Sequence, residues 1–387
     1  MAADRLYLDH NATAPLRPEA AAAMRAALER VGNPSSVHAE GRAARAAVEA
    51  AREAVAALVG ARPAAVTFTS GATEALNLAL TPDLVLDDRP FHAARLLASA
   101  VEHLAVLDGH RFPSAAAERL PVDGDGRLDI AALEATLAAG PGPVLLALQS
   151  ANNETGVIQP AAEAAARVHA AGGAVVVDAV QSAGRVPTDL AALGADFLVV
   201  SGHKLGAPAG VGALIRRSEG VRPAGAMIRG GGQERGGRSG TENLLGIVGF
   251  GAAAAAARAA LAEEEPRLRT LRSRLEEGLR TVDPATVIFS AGADRLPNTT
   301  AFAVPGIKAE TALIALDLDG LAVSSGSACS SGKVKASHVL DAMAIGPDLL
   351  HGMIRMSVGW SSTLAEVEQA LAIWARVHAR LKERAAA

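Results

Sequence analysis

The residues of this chain whose types and settings could do chemistry begin with its one thiol. Cys329 is the only cysteine, and it sits in Ser324-Ser325-Gly326-Ser327-Ala328-Cys329-Ser330-Ser331-Gly332, a run with almost no apolar side chain to bury it. It has no partner for an intramolecular disulfide. Thiolate nucleophilicity follows exposure and local charge, so a cysteine in a polar, glycine-punctuated loop is a candidate nucleophile. The ordinary alternative is core filler, because free cysteines are more often small buried hydrophobes. Lys204 closes Ser201-Gly202-His203-Lys204, directly behind the apolar run Phe197-Leu198-Val199-Val200. Desolvation there lowers an ammonium pKa, which is how a Schiff-base lysine is prepared.

Further polar residues follow other apolar runs. Asp178 ends Ala174-Val175-Val176-Val177-Asp178, where a carboxylate either caps the next helix or pairs with a protonated ring nitrogen, the partner a pyridoxal phosphate enzyme requires. Thr69-Ser70-Gly71-Ala72-Thr73-Glu74 is a turn into a helix whose unpaired N–H groups favour an anion such as phosphate. An ordinary N-cap by Ser70 or Thr73 is the competing account. Gln149 to Gly156 carries the pair Asn152-Asn153, amides that commonly make turns and here also offer a hydrogen bond to a ring hydroxyl or a substrate. His103, after Leu96 to Ser99, offers a flat face for a cofactor ring, although a lone histidine is usually structural. Together an anion site, an acid, an amide, a flat ring and a lysine describe one cofactor with a phosphate, a pyridine nitrogen and an aldehyde.

These groups need a frame that brings strand ends together. Short apolar runs at Ala65 to Thr69, Arg95 to Ser99, Val144 to Leu148, Ala174 to Val177 and Phe197 to Val200 alternate with helical stretches such as Arg42 to Leu58 and Ala161 to Ala171. Continuous apolar runs suit strands covered on both faces, and the alternation predicts a mostly parallel α/β sheet. Ligands of open α/β sheets bind at the carboxyl ends of strands, where the polar residues above fall. An alanine-rich helix from Gly251 to Ala262 continues, charged and amphipathic, to Arg280 and is expected to bridge two domains. Strands near Val287 to Phe289, Asn298 to Val304 and Ile354 to Val358, then a helix from Leu364 to Lys382, predict a smaller α+β unit. The expected division is a large domain over residues 15–258 and a small domain of 1–14 and 259–387, carrying the cysteine loop at about 324–335.

The 387 residues carry a net charge of −4 without a lysine or arginine block, so a nucleic acid or an anionic membrane is not an expected partner. The first residues lack an apolar core behind a basic start, and no apolar stretch reads as long and uncharged enough to span a bilayer. A cytoplasmic location is expected, and the scarcity of cysteine agrees with a reducing compartment. The ten histidines show no close pairing with one another or with Cys329, so no resident metal site is expected.

These motifs, together with Tyr7 to Pro15, Gly32 to His38, Gly230 to Thr241 and Ile354-Arg355-Met356-Ser357, resemble the class V aminotransferase-like pyridoxal phosphate enzymes. More closely, they resemble the cysteine desulfurases of the NifS and IscS type, in the group with the longer cysteine loop. The resemblance runs through almost the whole chain. It implies the aspartate aminotransferase-like α/β fold, a seven-stranded, mostly parallel sheet with a small C-terminal α+β domain. After Lys204 the sequence departs from many relatives in Leu205 to Gly210, outside the chemistry.

The resemblance also implies roles. Lys204 would carry pyridoxal 5′-phosphate as a Schiff base, Asp178 would pair with the ring nitrogen, His103 would stack on the ring and carry protons, and Gln181 and Asn153 would reach its hydroxyl. Thr73, the Ala72 backbone, Ser201 and His203 would bind the phosphate, joined by Thr241 from a partner subunit, which implies a homodimer. Arg355, with Asn153, would bind the substrate carboxylate. Cys329 would take sulfur from L-cysteine, leaving L-alanine and a persulfide, and pass it to an acceptor such as an iron–sulfur scaffold; the serine and glycine flanks suit a thiol that serves two positions. A transient iron–sulfur cluster at Cys329 stays open. So do a class V aminotransferase, a selenocysteine lyase and an idle interaction protein that keeps the fold.

Overall fold

A computed structural model of the protein describes residues 5–326 and 337–386. Cys329 and the segment expected to deliver its sulfur lie outside the described residues. Seven strands form the main sheet in the spatial order Val66–Thr69, Gly212–Arg216, Phe197–Ser201, Ala174–Asp178, Val144–Gln149, Arg95–Ser99 and Ala117–Leu120. The last five pair parallel to one another. Gly212–Arg216 alone runs the other way, antiparallel to both of its neighbours. The mostly parallel α/β sheet expected from the sequence is therefore what forms.

Alternation explains why the central strands read as unbroken apolar runs. Val175, Val177, Leu198 and Val200 bury into one core with Phe68, Ile247 and Phe250, while Ala174, Val176, Phe197 and Val199 bury into another with Leu76, Leu96 and Leu214. Both faces are covered, so both side-chain rows are hydrophobic. The strands then end at one edge with Ser99, Gln149, Asp178 and Ser201, all buried.

A second core is built on Thr299–Ala303, which pairs antiparallel with Val287–Ile288 and Ile354–Ser357; Ser324–Ser325 adds to the far side of Ile354–Ser357. The helix Leu364–Ala386 closes it, with Trp374 edge-on to Phe302 at 5.2 Å between ring centroids. The short strand Leu6–Tyr7 pairs parallel with Leu321–Ala322. From there residues 9–15 cross to the main sheet, where the Ala14 N–H meets the His203 carbonyl at 2.8 Å.

One helix, Leu244–Val282, serves both cores. Ile247, Phe250, Ala253, Ala254 and Ala257 bury in the first, and Leu268, Leu271, Leu275 and Leu279 in the second. The boundary expected near residue 258 falls inside this helix. It also corrects one expectation: by length and composition the helix is apolar enough to cross a membrane. Its alanine, isoleucine and valine content produces that hydropathy, and its buried face packs against the helices Pro18–Leu28 and Ala39–Leu58.

Candidate active site

Every expected site residue within the described chain except Thr241 lines one cavity of about 510 Å³ at the carboxyl edge of the sheet, a size suited to a small ligand or cofactor. Thr241 is exposed and lies outside it. Gly326, the last described residue before the Cys329 segment, is part of the cavity wall.

One end of the cavity is built for an anion. The helix Ala72–Ala79 begins after Gly71, which caps it without any side-chain hydrogen bond. The competing N-cap by Ser70 or Thr73 is therefore not made, and the first N–H groups of the helix are left to a ligand. The Ser70 N–H donates to Glu74 Oε2 at 2.8 Å, and Glu74 is held by Arg238 at 3.0 Å. Gly212 on the neighbouring strand allows the turn to come close: a Cβ there would lie 2.7 Å from the Gly71 carbonyl carbon. Ser201 is buried beside it. His203 shares a hydrogen bond of 3.2 Å between its Nδ1 and Thr13 Oγ1. Burial, then the cations Lys204 and Arg185, push His203 down to about 4, so at neutral pH it is an uncharged imidazole.

The other end presents a carboxylate and an amine. Asp178 ends its strand buried, with Oδ1 accepting the Val180 N–H at 2.9 Å. Among the described residues no lysine, arginine or histidine stands within ion-pair distance of it, and burial raises its pKa above the ordinary aspartate value. A cationic N–H arriving in the cavity would favour its ionised form and offset that rise. Lys204 ends the 3₁₀ turn Gly202–Lys204 that follows the strand, and its Nζ donates to the carbonyls of Asn11 at 2.5 Å and Ala12 at 2.8 Å. His103 caps the helix Leu104–Leu107 by accepting the Ala105 N–H at Nδ1, 3.0 Å away. That bond fixes the ring and leaves Nε2 as the protonated nitrogen of the neutral form.

The amides and the arginine are cross-braced. The Asn153 carbonyl accepts from Asn11 Nδ2 at 3.1 Å and from Arg355 Nη1 at 2.9 Å, and Arg355 Nη2 pairs with Asp9 Oδ1 at 2.7 Å. Arg355 is 3 % exposed, and its Nε is buried with no hydrogen-bond partner among the described residues. Gln181 departs from a simple ring contact: Nε2 donates to the Asn11 carbonyl at 3.1 Å, while Oε1 accepts from the Arg185 guanidinium. Arg185 is itself buried, with no carboxylate within ion-pair distance among the described residues, and burial followed by repulsion from Arg355 pulls it down to about 9.

Sequence reasoning missed Asn11, which lines the cavity, Asp9 and Arg185, which hold its lining residues Arg355 and Gln181, and Glu154, which stands outside the lining. The signal for the first two was the run Tyr7 to Pro15, which entered the resemblance without a role for Asp9 or Asn11. Glu154 hid inside a turn read for its asparagines.

The class V aminotransferase family matches residues 6–370 of the chain. A cysteine desulfurase of Cereibacter sphaeroides is 44 % identical over 376 residues, covering 96 % of this chain and 95 % of that one. An IscS-like cysteine desulfurase of Mycobacterium tuberculosis is 39 % identical over 388 residues, 98 % of each. Among solved structures, a NifS-like protein from Rickettsia africae superposes with a TM-score of 0.87 at 33 % identity, covering 97 % of this chain and 99 % of that one.

Proposed function

This chain belongs to the class V aminotransferase family, and on that premise we propose that it is a pyridoxal phosphate-dependent cysteine desulfurase that converts L-cysteine to L-alanine and holds the sulfur as a persulfide on Cys329. The observation that carries the cofactor assignment is the Asp178 carboxylate, buried with no ion-pair partner among the described residues in a cavity it shares with Lys204 and the start of a helix without a side-chain cap. That donor set fits the cofactor. Thr73, the Ala72 backbone, Ser201 and His203 would hold its phosphate, Asp178 its ring nitrogen, His103 its face and Lys204 its aldehyde carbon. The chemistry supplied by the bound group is an electron sink that acidifies the substrate α-carbon.

The chain's own residues do the rest. The Arg355 guanidinium, fixed by Asp9 and Asn153, would bind the substrate carboxylate, a planar task suited to its fork geometry. Lys204 Nζ would take the α-proton, and the Asn11 and Ala12 carbonyls that already accept from it would hold it as an ammonium. The Cys329 thiolate attacks the substrate sulfur, so the S–S bond forms as the Cβ–S bond breaks. The electron pair stays with the carbon skeleton: Cβ takes one proton, and Lys204 would return a proton to Cα to complete L-alanine. His103, with its ring fixed at Nδ1, would move the thiol protons.

Two further parts of the reading concern partners. Thr241 lies outside the cavity of the single chain, so its expected place on the phosphate requires a second copy and a homodimer with shared sites. The persulfide would then pass to a sulfur acceptor, such as an iron–sulfur scaffold.

Incubation of the loaded enzyme with L-cysteine and a thiol reductant tests the activity. Equal amounts of sulfide and alanine are expected, falling at least 100-fold in Cys329→Ser. A Cys329→Ser variant that releases alanine at the wild-type rate would sink the reading.

A further inference from the structure

Glu154 is 3 % exposed, and its carboxylate faces neither water nor an ion-pair partner among the described residues. Burial raises its pKa to about 7, against the opposing pull of Ser337, Arg355 and His103. What it does touch is specific. Its Oε2 accepts the Ser337 hydroxyl at 2.5 Å. The same oxygen, with the Met353 methyl, occupies the space in which Gly326 would carry a Cβ. Ser337 is the first described residue after the Cys329 segment and Gly326 the last before it, so both ends of that segment meet on one carboxylate oxygen.

Each member of the clasp is also fixed from behind. The Asn152 side-chain oxygen accepts the N–H groups of Glu154 at 2.8 Å and Thr155 at 2.9 Å, setting the turn from which Glu154 projects. Ser337 caps the helix His338–Ala342 by accepting the Leu340 N–H at Oγ, 3.1 Å away, so its hydroxyl proton is the part left for Glu154. Gly326 continues the strand Ser324–Ser325, which pairs with the strand carrying Arg355. A buried carboxylate with a raised pKa weakens a fold, and a neutral side chain of the same size would fill this space at less cost.

We propose that Glu154 is a positioning residue for the thiol: by pinning Ser337 beside Gly326, which lines the cavity, it fixes the two points between which the chain carrying Cys329 runs. The inference rests on the desulfurase reading for its consequence, because the distance from thiol to substrate sulfur then depends on those two anchors. It does not extend to binding of the cofactor or of the substrate carboxylate, which other residues hold.

The test separates these steps in the loaded enzyme. Substrate binding is read from the change in visible absorbance on adding L-cysteine, and sulfur transfer from single-turnover labelling of Cys329 as the persulfide. Because Cys329 is the only cysteine, a maleimide also reports on it alone, in protein without cofactor or substrate. Glu154→Ala should keep the binding signal within twofold, slow persulfide formation at least 10-fold and change the alkylation rate at least threefold. Glu154→Gln, which keeps an acceptor of the same reach, should restore persulfide formation to within threefold of wild type.

If Glu154→Ala does not fold, the pair Ser337→Asn and Ser337→Asp takes its place. Both cap the helix, but only the aspartate repels Glu154, so only the aspartate variant should lose persulfide formation. Equal behaviour of that pair, or wild-type persulfide formation in Glu154→Ala, overturns the inference while leaving the desulfurase reading intact. A wild-type protein that forms no persulfide from L-cysteine overturns both.

Discussion

The Asp178 carboxylate stands where burial penalises its charge, and that penalty gives it a purpose once a cation can reach it. Replacing it with asparagine keeps the volume and removes the charge. A hydrogen bond to a charged partner contributes about 1.5–3 kcal/mol, so Asp178→Asn should weaken pyridoxal phosphate binding by roughly 10- to 100-fold, measured by absorbance titration. Glu154 shows the same penalty in folding. Its native pKa, raised to about 7 from 4.5, means that the unfolded chain releases this proton at lower pH than the native one. Stability relative to Glu154→Gln is therefore highest below pH 4.5 and falls as pH rises through 7. At about 1.4 kcal/mol per pH unit the loss is on the order of 3 kcal/mol. Urea unfolding of the two proteins at pH 5 and pH 8 should show the gap opening in favour of the glutamine variant. Asp178 and Lys204 were legible in the sequence because each ends an apolar run. Glu154 and Arg185 were not, since their importance lies in what surrounds them, and a buried charge looks like a surface charge in one dimension.

At the scale of elements, the strands covered on both faces declare themselves by continuous apolar runs. The strands that escaped notice lack that signature. Ala117–Leu120 is a charged edge strand, with Glu118 and Arg119 partly or fully exposed. Gly212–Arg216 starts on a glycine behind a loop rich in small residues, and its reversed direction follows from pairings with Val66–Thr69 and Phe197–Ser201 that no local pattern encodes. The long helix Leu244–Val282 was legible as a bridging helix from Gly251 onward, but its first turns from Leu244 were not. Its glycines explain the close packing. A Cβ on Gly251 would lie 2.5 Å from the Ala51 Cα, a backbone atom that cannot swing away. Gly251→Ala should therefore destabilise the protein by about 1–3 kcal/mol from overpacking, although alanine is the better helix former by up to about 1 kcal/mol. Thermal unfolding decides between the two: a raised midpoint would show that helix propensity wins.

Across the whole molecule, residues 9–15 act as a tie between the cores. Asn11 alone donates to Thr299 and Asn153, accepts from Asn298, and offers its carbonyl to Gln181 and Lys204. The second core was legible from the change of pattern after the long helix; this crossing was not, because two-residue strands carry almost no periodicity. The proposed dimer makes a prediction at the same scale. If each site takes Lys204 from one copy and Thr241 from the other, Lys204→Ala and Thr241→Ala homodimers should each be impaired. Subunits of the two kinds, exchanged by mild denaturation and refolding, should regain part of the wild-type rate, because one of the two sites in a mixed dimer is then intact. Activity that never exceeds the average of the parents would show that the copies do not share a site.

The pairing of Leu6 with Leu321 also sets a timetable. A ribosome makes the chain from its first residue, and folding can begin on the finished part. The main sheet has all its strands once Arg216 has emerged, yet the strand that seats Asn11 and Ala12 beside Lys204 has no partner until residue 322 is made. The lysine thus waits for its two carbonyls until residue 322 is made, more than a hundred residues after the last strand of the main sheet.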